Sequence, residues 1–186
     1  VSISDNFERL ILVIDVAGQL SGLAYRRQFA KVAHHQDVFP CHVYPFISIL
    51  KEHPIVFLKD YNVAVRIMSS QCRSVSSIYD KSPVESWVDF FNTVFGEKKF
   101  AALRNYAIKN YVAKNYLGLV QIRNYARYRY LWREIGMLLK YRWQNIYSPK
   151  FWFFGLGCAV MPPFLLIPFV DWYKRTINAR PLVGIS

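Results

Sequence analysis

The chain has 186 residues, of which 53% are hydrophobic and 17% aromatic, and it carries a formal charge of +12. That length suits one domain, or one domain with an appendage, and the apolar content excludes disorder over most of it. The cationic excess calls for an anionic partner.

The charge is unevenly placed. Residues 1–96 hold nine Lys/Arg and nine Asp/Glu, a balance of zero. Residues 97–150 hold twelve basic residues against Glu97 and Glu134, and residues 151–186 carry a balance of +2. Nearly all the excess therefore lies in one block, just before the most apolar stretch of the chain. The three cysteines, Cys41, Cys72 and Cys158, form no CxxC, which argues against a disulfide framework and suits a reducing compartment such as cytosol or mitochondrial matrix. The first residue is Val rather than Met, and we read a cleaved targeting peptide ahead of it.

Residues 1–33 are expected to form an N-terminal helix, with Asp5 and Glu8 as its capping pair. Its apolar part, Leu10 to Tyr25, is sixteen residues long and contains Asp15. That is short for a membrane span and would bury an acid, so a helix packed in a protein assembly is the preferred reading. Residues 34–81 are expected to be irregular or mixed. Pro40, Pro45 and Pro54 favour extended chain there, and periodicity does not decide whether "PIVFLKDYNVAVRIMSS" gives a strand or a short helix. The histidine-bearing "HHQDVFPCH" holds His34, His35, Asp37, Cys41 and His42, with His53 further on. Zinc takes such ligands, but the spacing fits no standard pattern, and a polar loop with incidental histidines is preferred.

Residues 82–147 read as an amphipathic helical region. In "DKSPVESWVDFFNTVFG", Ser82 is the N-cap, Pro83 stands at the first helical position, Glu85 completes a capping box and Gly96 marks the stop. The buried face of that helix would hold Trp87, Phe90, Phe91, Val94 and Phe95. Two further helices are expected, at 98–117 and 121–147, with a break at Gly118. Their apolar stripes are Phe100, Leu103, Ala107 and Tyr111, then Tyr128, Leu131, Ile135 and Leu138. A basic–Asn–Tyr tripeptide recurs at 104–106, 109–111, 114–116 and 123–125. Five-residue steps rotate by about 140° on a helix, so these rings should point around it and touch several neighbours.

The stretch "FWFFGLGCAVMPPFLLIPFV", Phe151–Val170, has twenty residues without a charge. As one helix it would span about 30 Å, the thickness of a bilayer's hydrocarbon core. Ser148 and Pro149 start it, and Trp152 and Trp172 lie near its two ends, where amphipathic rings settle. Pro162, Pro163 and Pro168 predict a kink. The fold expected is mostly α, an extended helical protein with one C-terminal transmembrane helix at 148–175 and a tail at 176–186. The competing reading of this stretch is a buried, kinked core segment. Gly155 and Ala159 offer a small-residue face for packing on another helix.

No phosphate-cradling glycine loop, nucleophile elbow or acid–base constellation is present, so neither an enzyme nor a metal or organic cofactor is expected. The basic block admits three readings: a solvated face, a nucleic-acid surface or an anionic-lipid surface. Lys140, Arg142 and Lys150 directly precede the apolar stretch, and Trp172, Lys174 and Arg175 follow it, which favours lipid headgroups. The same asymmetry puts residues 1–150 on the negative side of a membrane.

In these features the chain resembles the supernumerary subunits of mitochondrial inner-membrane complexes, the respiratory enzymes and ATP synthase. The residues that carry the likeness are the initial Val1, the basic aromatic block, the apolar Phe151–Val170 and the "DWYKRTINARP" that follows. The resemblance implies a non-catalytic role in assembly, with the bulk of the chain in the matrix. Its implied partners are neighbouring subunits and anionic lipid, including bound cardiolipin, and nucleic acid is not expected. The alternative is an RNA-binding protein of the mitochondrial ribosome.

Overall fold

The computed structural model describes residues 7–17, 23–29, 31–32, 40–54, 56 and 77–176. Asp5, His34, His35, Asp37, Cys72, most of "PIVFLKDYNVAVRIMSS" and the tail from 177 lie outside the described residues. Within them the chain is mostly helical, as its periodicity predicts. The helices are α1 (Phe7–Ala17), α2 (Val43–Glu52), α3 (Pro83–Val94), α4 (Ala101–Asn110), α5 (Leu117–Tyr125), α6 (Tyr128–Tyr141), α7 (Pro149–Val160) and α8 (Pro163–Thr176). Short 3-10 turns join several of them, at Lys98–Phe100, Val112–Lys114 and Trp143–Tyr147.

The core is built around α3. Ser82 caps its first turn by accepting from the Glu85 amide at 3.1 Å, and Pro83 opens it, as expected. Trp87, Phe90, Phe91, Val94 and Phe95 are all buried. Their rings meet edge-on or tilted, save Phe91 and Phe95, which stack, with Phe90 against Phe91 at 5.2 Å and Tyr44 of α2 against Phe90 at 4.8 Å. Such pairs each add about 0.5–1.5 kcal/mol to simple burial. Helices α2, α4 and α6 pack on α3, α1 packs on α2 and α4, and α5 joins α6 to α7 and α8. Lys51 of α2 ties the end of α3, donating to the Val94 carbonyl at 3.0 Å and to Glu97 at 2.8 Å.

Several expectations require correction. Of the helix expected over 1–33, the described part is Phe7–Ala17, and residues 23–26 are not helical. The proline-bearing 34–81 segment contains a regular helix, α2. Pro45 falls in its first turn, where a missing N–H costs nothing because no intrahelical acceptor waits for it. Gly118 does not break the basic region. It lies inside α5, and the break comes earlier, at Tyr111–Tyr116, with a second at Ala126–Arg127.

The largest correction concerns Phe151–Val170, which forms two helices rather than one. Met161 precedes Pro162 and is driven into extended backbone, at φ −76° and ψ 126°, so α7 ends there. Pro163 then starts α8, where Leu165 and Leu166 both donate to the Pro162 carbonyl at 3.1 Å. Twelve and fourteen residues span about 18 and 21 Å, well short of a hydrocarbon core. Among the described residues no helix is long and apolar enough to cross a membrane.

Candidate functional site

Three of the four basic–Asn–Tyr tripeptides turn their tyrosines toward different helices. Tyr106 meets Phe7 of α1 at 5.3 Å, Tyr111 meets Trp87 of α3 at 5.7 Å, and Tyr116 meets Phe151 of α7 at 5.6 Å. The rings are thus mortar between helices. The cations beside them face outward or close helix ends. Lys109 and Lys114 are exposed, while Arg104 reaches the Phe95 carbonyl at 3.4 Å. Arg123 donates through Nε to the Met161 carbonyl at 3.2 Å, and Tyr128 donates to the Ala159 carbonyl, also at 3.2 Å. Together they satisfy the end of α7 that the prolines leave open.

One buried side chain organises the region after α6. Asn145 is fully buried. Its Nδ2 donates to the carbonyls of Ala113 at 2.8 Å and Leu138 at 3.0 Å. Its Oδ1 accepts from the Tyr116 hydroxyl at 2.8 Å and from Arg142 Nη1 at 2.6 Å. All four hydrogen-bonding positions of the amide are filled. The node ties the 3-10 turn at Val112–Lys114 to the end of α6, and the Asn145 carbonyl accepts from the Ser148 amide at the start of α7 at 2.9 Å.

Those three elements wall an open groove of about 650 Å³. Lys114, Arg142 and Lys150 line it, with Asn115, Gln144 and Ser148 as polar neighbours and Leu117, Tyr147 and Phe154 as apolar ones. No acidic side chain lines it, and among the described residues none pairs with these three cations. Ser148 caps α7, accepting from the Phe151 amide at 3.4 Å, so the positive end of that helix borders the groove.

Beside the groove begins an apolar surface. Helix α7 turns Phe151, Gly155 and Cys158 inward against α5 and α6 and presents Trp152, Phe153, Leu156 and Val160 outward. Helix α8 buries Leu166 and presents Phe164, Leu165, Phe169 and Trp172. Exposure is high where a soluble helix would carry charge: Phe153 is 76% exposed, Val160 82% and Phe164 72%. A helix apolar on all sides is ordinarily covered on all sides. Contiguous apolar faces of this kind mark interaction sites.

The residues expected to meet lipid headgroups divide as follows. Arg142 and Lys150 share the groove, and Trp172 lies on the apolar face, 6.0 Å from Phe169. Lys140 is exposed, over its neighbour Tyr141 at 5.3 Å, and does not line the groove. The side chains of Lys174 and Arg175 lie outside the described residues. Lys114 joins the groove without having been singled out by sequence, because the break before α5 folds it back toward Arg142. Gly155 faces Ile135 of this same chain, not a free surface, and Ala159 is half-buried beside it.

The histidine region is dispersed where it is described. His42 bonds through its ring to the Ala17 carbonyl at 3.0 Å, His53 packs on Phe29 at 4.1 Å, and Cys41 is a half-buried free thiol. Among the described residues no group of three metal-ligating side chains comes together. No protein-family model matches this chain, and no curated protein and no solved structure is detectably similar to it.

Proposed function

We propose that this chain is a non-catalytic structural subunit of a membrane complex, seated on the bilayer by the outward faces of α7 and α8. The observation that carries the reading is the apolar, aromatic surface of those two helices, next to a block of twelve basic residues with only two acids. Half-burying such side chains in the acyl boundary is worth on the order of 10 kcal/mol in all, ample for stable association. Neither helix needs to cross. An apolar helix of about ten to fourteen residues is either a buried core helix or an interfacial or re-entrant segment, and the outward exposure of these two faces favours the latter. Trp152 and Trp172 suit the headgroup depth, and the basic block adds about 1 kcal/mol for each cation that reaches an anionic surface.

The wider assignment is an accessory subunit of a mitochondrial inner-membrane complex of oxidative phosphorylation, a respiratory enzyme or ATP synthase. Its bulk would lie on the matrix side, with cardiolipin as the anionic lipid. Composition supports this, as does the packing of Tyr106, Tyr111 and Tyr116 between helices. Carbonate treatment of membranes followed by flotation tests it. The chain should float with the lipid. Release in ribonuclease-sensitive particles would put it with the mitochondrial ribosome instead.

A further inference from the structure

The groove walled by Lys114, Arg142 and Lys150 has the chemistry of a phosphate site with an apolar exit. We propose that it holds the phosphodiester headgroup of an anionic phospholipid, whose acyl chains leave along Phe154 and the outward face of α7. This rests on the membrane reading of that face but asks more of the molecule: a headgroup pocket at a defined place, not a diffuse positive field.

Three observations carry it. The cations come from three separate elements: the Asn145 side chain joins the turn that carries Lys114 to the end of α6 that carries Arg142, and the Asn145 carbonyl accepts from the amide of Ser148, the cap of the helix that carries Lys150. Arg142 spends one amino group on Asn145 and is thereby fixed in orientation, leaving the rest of its guanidinium to form charge-assisted bonds to a phosphate oxygen. The lining is amphipathic, with Leu117, Tyr147 and Phe154 beside the cations, as an acylated phosphate requires and an inorganic one does not. The groove does expose one ring, Tyr147, on which a base would stack, so nucleic acid is an outcome that the test below separates.

Lys114 and Lys150 are exposed, so replacing both with Gln leaves the fold intact. The control is Lys98→Gln with Lys109→Gln, which removes the same charge from exposed positions away from the groove. The full chain is titrated with vesicles of phosphatidylcholine containing cardiolipin, and separately with vesicles of phosphatidylcholine alone. The groove variant should lose about tenfold or more in affinity for the anionic vesicles, at about 1 kcal/mol per cation near the surface. The control should lose less than about threefold, because neither of its cations lines the groove. On neutral vesicles wild type and groove variant should bind alike, through the α7–α8 face alone.

Equal losses in the two variants, or none in either, would overturn the pocket while leaving the apolar face standing. Binding to neither kind of vesicle would remove both. Displacement of the protein from anionic vesicles by millimolar inorganic phosphate would reassign the groove to a small soluble anion. Displacement by a single-stranded oligonucleotide would reassign it to nucleic acid.

Discussion

Ser82 donates its hydroxyl to the carboxylate of Glu134 at 2.6 Å, joining the start of α3 to the middle of α6. The other carboxylate oxygen accepts from the Val84 amide at 2.8 Å. An acid from α6 thus completes the N-terminal cap of α3, where the helix dipole favours it. Glu134 is buried among Leu131, Ile135 and Leu138. Glu134→Ala strands two buried donors and should cost about 3 kcal/mol, lowering Tm by about 6–12 °C. Glu134→Gln keeps the shape and one acceptor and should cost under about 1 kcal/mol. Thermal melts of the two variants separate these outcomes.

Glu134 also predicts a pH dependence. Burial pushes its carboxyl above the usual carboxylate range, while the bonds from Ser82 and Val84 and the charge of Arg133 pull it back in part. A raised pKa means that the folded state holds the proton longer than the unfolded chain does. Its contribution to stability is therefore complete below the ordinary Glu range and fades as pH rises through the folded-state value. Denaturant midpoints measured across mildly acidic pH should show that decline in wild type and a flatter profile in Glu134→Gln. A steeper profile in the variant would contradict the assignment.

Asn145 supplies a second test of polar burial. Asn145→Ala removes the partner of the Tyr116 hydroxyl and of the Ala113 carbonyl and frees the Arg142 guanidinium, while the Leu138 carbonyl keeps its bond from the Arg142 amide. The expected loss is about 3 kcal/mol, read as a shift in denaturant midpoint. Because the node sets the groove, the variant should also bind anionic vesicles more weakly under conditions where it is still folded. A stability loss with unchanged vesicle affinity would separate the node from the groove.

Gly155 distinguishes packing within the chain from packing on a partner. A Cβ there would stand 3.8 Å from Ile135 Cδ1, an ordinary contact. Gly155→Ala should be neutral or stabilising by up to about 1 kcal/mol, from helix propensity. Assembly into the native complex should be unaffected. Impaired assembly with a normal melt would mean that the small-residue face serves another helix.

What could be read from the sequence was what depends on local pattern. Ser82, Pro83 and the Trp87–Phe95 face follow from capping chemistry and the 3.6-residue period, and α3 is found as expected. Glu134 was less legible. It lies three residues after Leu131 and four before Leu138, squarely on the apolar stripe, and its placement there was the signal of a buried acid. Lys114 needed tertiary information, because only the turn before α5 brings it to Arg142. The division of Phe151–Val170 turned on Pro162 following Met161. Length and hydropathy read that stretch as one helix, while the backbone clash before a proline ends it.

Exposure makes Leu165 a clean probe of the apolar surface. Leu165→Arg lies on the outward face of α8, so its melt should match wild type within about 0.5 kcal/mol. Its membrane association should nevertheless fall by about tenfold or more, since a guanidinium replaces a side chain that would enter the acyl boundary. An unfolded variant would mean that the face is internal core.

The most direct measurement of the central claim is quenching of tryptophan emission by phospholipids brominated on their acyl chains. Of the five tryptophans, Trp152 and Trp172 are exposed on the α7–α8 face, Trp132 and Trp143 are exposed on other elements, and Trp87 is buried in the α3 core. The account predicts strong quenching on vesicle binding, falling markedly when Trp152 and Trp172 are both changed to Phe. Emission that brominated lipid leaves untouched, or quenching that survives the double change in full, would contradict it.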